Sequence, residues 1–120
     1  MIAAILVGLV ALEHAGFLVL EMFLWTTPFG QKSFGLTPEF AQASAALAQN
    51  QGLYNGFLSA GLIWSFFIGD PAWQFNVRAF FLACVIVAGL FGGYTAKPSI
   101  YVVQALPAAI ALALVWFSRG

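Results

Sequence analysis

Apolar residues gather into four long stretches, 2–25, 49–68, 75–94 and 100–117, parted by short polar breaks. A membrane-spanning helix needs about 20 mostly apolar residues, and each stretch is read as one such helix. The second run is short from residue 53 onward and reaches spanning length by extension through 49–52. Trp25-Thr26-Thr27-Pro28-Phe29-Gly30 ends the first helix, Gly69-Asp70-Pro71 the second, and Thr95-Ala96-Lys97-Pro98-Ser99 makes the turn between the third and fourth. The expected fold is all-α: one domain over 1–120, an integral membrane antiparallel four-helix bundle. Thr37 reads as an N-cap, Pro38 as a first helical residue, and Glu39 lies in the first turn, where the dipole favours an acid. The segment 38–48 is therefore an interfacial helix or, the favoured reading, an early start of the second helix.

Composition agrees with this class. The chain has 120 residues, 62% hydrophobic and 7% charged, too few charges to cover its apolar surface in water. Net charge is zero, and no basic patch with interleaved aromatics exists, so nucleic acid is excluded as a partner. The N-terminal run lacks a basic n-region and is too long for a signal-peptide core, so it is read as a membrane helix. The lone Cys84 is read as a small hydrophobe. Lys32 and Lys97 fall on one side of the membrane and Arg78 and Arg119 on the other. This near-tie leaves only the terminal amine and Trp64, Trp73 and Trp116 to favour cytoplasmic termini in a bacterial inner membrane. Arg78 is expected to snorkel and to pair with Asp70.

Candidate chemistry lies in the first stretch. Ionisable residues inside a span are costly and usually mark working sites. At 100° per residue, Glu13, His14 and Glu21 share one arc of about 100°. Gln49, Asn50, Gln51, Tyr54 and Asn55 open the second helix from the side toward which Glu21 lies. Tyr94 and Thr95 leave the third helix there, and Ser99, Tyr101 and Gln104 begin the fourth. The expected arrangement is a polar cup in one half of the membrane with Glu13 and His14 at its floor. Glu13, His14 and Glu21 are the candidate catalytic groups. Asn50, Gln51, Tyr54, Asn55, Tyr94, Tyr101 and Gln104 are the candidate ligand contacts. Plainer readings stand beside these: a protonated and hydrogen-bonded Glu13, a satisfied interior His14, interhelical amide bonds, and ordinary interfacial tyrosines. Gly52, Gly56 and Ala60, and also Gly89 and Gly93, form small-residue faces suited to internal packing or to a dimer seam. One His and one Cys do not make a usual zinc site, and no cofactor fingerprint is present, so neither metal nor cofactor is expected.

Two motifs carry a resemblance. Glu13-His14-Ala15-Gly16-Phe17, continuing to Glu21-Met22-Phe23-Leu24-Trp25, resembles the first helix of a family of small bacterial membrane proteins known only as a domain of unknown function. Asn50-Gln51-Gly52-Leu53-Tyr54-Asn55-Gly56 is similar to that family's second-helix motif. The resemblance spans nearly the whole chain. It implies a four-helix membrane protein and no established activity.

Three functions compete on these residues. The leading one is a pocket that binds a small lipophilic molecule, and both binding alone and conversion by acid–base chemistry fit a Glu–His couple. The second is a proton-coupled exporter, resembling small multidrug transporters in its short four-helix chain and its first-helix Glu, with a second copy as partner. The third is a structural subunit of a larger membrane complex. The lipid bilayer is the expected partner in all three.

Overall fold

The computed structural model describes residues 1–119. Five α-helices follow in order: α1 (Ile2–Phe23), α2 (Pro28–Phe34), α3 (Pro38–Ser65), α4 (Pro71–Thr95) and α5 (Leu106–Ser118), with a π-helical turn over Tyr101–Ala105 leading into α5. No strand occurs among the described residues. Three helical segments, Ile2–Phe23, Pro71–Thr95 and Tyr101–Ser118, are long and apolar enough to cross a membrane. Phe23, Phe67, Phe80, Phe91 and Phe117 lie exposed on the surface. Apolar surface of this kind calls for lipid rather than water and gives the chain the character of a membrane protein. The long α3 is not among the three, because Gln42, Gln49, Asn50, Gln51 and Asn55 dilute its apolar run.

The chain forms two compact units. One comprises residues 12–57. In it α1 stops at Phe23, two residues short of the expected end. Thr27 then takes an extended backbone ahead of Pro28, as residues before proline do. Its hydroxyl donates to the Leu24 carbonyl at 2.6 Å and accepts from the Gly30 N–H at 3.1 Å, so it ends one helix and caps the next. The short α2 thus lies where the sequence suggested only a break. A Cβ on Gly30 would collide with the Leu24 carbonyl, so only glycine fits there. Gly35 ends α2 with φ 67°, and the Leu36 N–H returns to the Gln31 carbonyl at 2.8 Å in a Schellman-type closure. Thr37 Oγ1 accepts from the Phe40 N–H at 3.1 Å, and α3 runs unbroken from there. Trp25 holds the early part of α3 by donating to Ser44 Oγ at 3.0 Å.

The other unit comprises residues 1–11 and 58–120. Its core is built of small side chains, with Val7, Val10, Leu62, Leu82, Val85, Ala108, Ala111 and Val115 buried together. Ser59 donates to the Ala11 carbonyl at 2.8 Å, tying the first half of α1 to the second half of α3. The α3–α4 joint is set by Asp70, whose carboxylate accepts from the Trp73 N–H at 3.0 Å, with Pro71 at the first helical position. This cap starts α4 four residues before the apolar run that announces it. Asp70 is therefore committed to the cap, and the expected pairing with Arg78 does not form. Arg78 is buried instead, and its Nε donates to Ser65 Oγ at 3.0 Å.

The π-helical turn follows from Pro107. A proline inside a helix has no N–H and collides with the carbonyl four residues back. The backbone widens by one residue, and the Leu106 N–H reaches the Tyr101 carbonyl. Gly89 and Gly93 of α4 face this turn. A Cβ on Gly89 would stand 2.7 Å from the Ala105 nitrogen, and one on Gly93 would stand 2.5 Å from the Tyr101 ring. This small-residue face is filled from within the chain.

Candidate functional site

In the 12–57 unit a hydrogen bond between side chains joins α1 to α3. Asn55 Nδ2 donates to Glu21 Oε1 at 2.6 Å. Glycines bracket it on α3. A Cβ on Gly52 would meet Met22 at 2.6 Å and Glu21 at 3.2 Å, and one on Gly56 would meet Leu18 at 2.6 Å. The missing side chains let the two backbones approach, with α1 and α3 running in opposite directions, and the amide between them reaches the carboxylate. Small residues serve this purpose where water does not drive helices together.

Two turns earlier on α1, His14 is fully buried, with its Nδ1 3.9 Å from Glu13 Oε1. Its ring stands edge-on to Phe17, with centroids 5.2 Å apart. Glu13 Oε1 is buried and takes part in no hydrogen bond among the described residues, although the side chain as a whole keeps 26% of its surface. Such an oxygen is uncommon, because buried polar atoms are nearly always matched. The arc drawn from helical geometry thus holds two kinds of carboxylate: Glu21 is engaged by an amide, and Glu13 stands beside a histidine with an acceptor to spare.

The other candidates divide between the units. Asn50 and Gln51 are exposed on α3, and Tyr54 is 59% exposed with its ring near Phe57. Tyr94, Tyr101 and Gln104 belong to the unit of residues 1–11 and 58–120. Tyr94 is 84% exposed, the Tyr101 ring lies against Gly93, and Gln104 is half-buried. Among the candidates, Glu21 and Asn55 are thus brought together by a hydrogen bond, and Glu13 and His14 by a 3.9 Å approach of Oε1 to Nδ1.

A second polar cluster, absent from the candidates named from sequence, lies at the α3–α4 joint. Ser65 is fully buried and donates to the Leu62 carbonyl at 2.6 Å while accepting from Arg78. Gln74 donates to the Ser65 carbonyl at 3.0 Å, satisfying a carbonyl that the end of α3 leaves open. The Arg78 guanidinium lies 4.5 Å from the centre of the Phe66 ring. The signal in the sequence is the Gln74-x-x-x-Arg78 spacing, which puts both side chains on one face of the first turns of α4.

The model of a family described as "Protein of unknown function (DUF1304)" matches residues 8–116. The uncharacterized protein YpaA of Lactococcus lactis subsp. lactis is 31% identical over 106 residues, which cover 87% of this chain and 87% of that protein. No solved structure matches. Both motifs that carry the resemblance, around Glu13 and around Asn50, fall within the matched residues. The chain belongs to the DUF1304 family of proteins of unknown function.

Proposed function

We propose that this protein crosses a bacterial inner membrane four times, with α3 as the fourth span and both termini cytoplasmic, and that it binds a small lipophilic molecule beside Glu13. The observation that carries the reading is the buried Glu13 oxygen without a hydrogen bond, set against a fully buried His14. A bound alcohol or amine would supply the missing donor while its apolar body lies along the helices. The adjacent imidazole suits the pair to exchange a proton with that group, because an acid and a base within reach of one atom are the minimum for general acid–base work. Glu21, held by Asn55, fixes the α1–α3 approach on which the position of Glu13 depends. Asn50, Gln51 and Tyr54, exposed on α3, are available as further contacts. Tyr94, Tyr101 and Gln104 stay outside this proposal.

Native mass spectrometry of the full chain from mild detergent tests it. The wild type retains a small-molecule mass. Glu13→Leu, which removes the acceptor and keeps the apolar volume, lowers retention at least tenfold without changing the unfolding temperature by more than a few degrees. Equal retention by wild type and Glu13→Leu overturns the proposal.

A further inference from the structure

Where α1 and α4 begin and α5 finishes, the unit of residues 1–11 and 58–120 carries a half-open cleft of about 150 Å³. A hollow of that size holds a benzene ring in other proteins. Among the described residues, its polar lining consists of Gln74, Arg78, Ser118 and Arg119, with no carboxylate. Arg78 is only 9% exposed. Neither arginine forms an ion pair among the described residues. The nearest acid in sequence, Asp70, is occupied by the Trp73 N–H.

A buried guanidinium without a counter-charge is costly, and an anion is the group that removes the cost. Both arginines are already oriented. Arg78 is fixed through Nε on Ser65, which leaves its terminal nitrogens for another acceptor. Arg119 lies 4.0 Å from the centre of the Trp116 ring and 5.2 Å from that of Phe75. Guanidinium forks match the paired oxygens of a phosphate, and two of them around one cavity favour phosphate over a single carboxylate. The cavity lies at the ends of apolar segments able to cross a membrane, the level at which lipid phosphates lie.

We propose that this cavity is a site for a phosphate-bearing anion, held between Arg78 and Arg119, supplied either by the headgroup of an anionic lipid or as free phosphate. The site is independent of Glu13 and of the function proposed for it.

The test uses the full chain in mild detergent, titrated with phosphatidylglycerol, with phosphatidylcholine of the same acyl chains, and with inorganic phosphate. Binding is read by native mass spectrometry and by thermal shift. A lipid source gives phosphatidylglycerol adducts at least tenfold above phosphatidylcholine, and a free-phosphate source gives stabilisation by inorganic phosphate itself. In either case Arg119→Gln weakens binding about tenfold. Ser118→Leu, which fills the cavity and keeps both charges, does the same, while Lys97→Gln has no effect. Arg119 and Ser118 lie at the exposed end of the chain, so these variants fold even if Arg78→Gln does not. Equal binding of both lipids with no response to phosphate, or equal losses in Lys97→Gln and Arg119→Gln, overturns the proposal.

Discussion

Asn55 donates to Glu21 across 2.6 Å and links two helices through residues 34 apart in the chain. Gly52 and Gly56 make the contact possible by holding α3 close to Leu18 and Met22. Interhelical hydrogen bonds in membranes couple by about 0.6 kcal/mol on average and about 1.7 at most. A double-mutant cycle of Glu21→Ala and Asn55→Ala, followed by detergent unfolding, is expected to return a coupling in the upper half of that range. Additive losses would show that the bond contributes nothing to holding α1 against α3.

The glycines divide into those that are packed and those that are not. Gly89→Val drives a side chain into the backbone of Ala105, and overpacking of this kind costs about 1–3 kcal/mol or more. Gly16 has nothing within 4 Å of its Cβ direction. Gly16→Ala is expected to raise stability by about 0.5–1 kcal/mol, because alanine is the better helix former. Thermal unfolding of the two variants in one detergent checks both signs.

Ser65→Ala removes the acceptor of Arg78 Nε and leaves a buried charged donor unmatched, at a cost of about 1–3 kcal/mol. Asp70→Asn retains a capping oxygen for the Trp73 N–H and makes no difference to Arg78, so it is expected to cost less than about 1 kcal/mol. If Asp70 were the ion-pair partner of Arg78, the order of the two losses in thermal unfolding would reverse.

Much of the helical layout is legible in the sequence because helix starts have strong chemistry. Thr37-Pro38 and Asp70-Pro71 each place a capping oxygen before a proline that needs no N–H partner. The same Thr-Pro signal precedes α2, yet Thr26-Thr27-Pro28 reads as a stop because it also follows a long apolar run. What starts this short helix is the turn from Leu24 to Gly30, in which Thr27 bonds both ways and Gly30 lies against the Leu24 carbonyl, an arrangement that the residue types alone do not announce. Pro107 lies inside an apolar stretch and gives no hint of whether the helix breaks, kinks or widens. Its resolution as a π-helical turn depends on Gly89 and Gly93 making room. In the candidate site, Glu21 and Asn55 stand out in the sequence as polar groups in apolar surroundings, while their pairing depends on the glycines beside Asn55. The role of Arg78 is illegible because its sequence neighbour Asp70 is the obvious partner and is bound elsewhere.

The proposed intramembrane site requires α3 to be a fourth span, since only then do both helices joined beside the Glu13–His14 pair, α1 and α3, cross the membrane. In sealed vesicles, a chain carrying Cys84→Ser, Ile2→Cys and Phe117→Cys is treated with a membrane-impermeant thiol reagent, and the labels per molecule are counted by mass. Four spans put both cysteines on one side, so every molecule carries two labels or none, whichever way it is inserted. A population carrying one label each would mean that α3 does not cross, and would contradict the proposed intramembrane site.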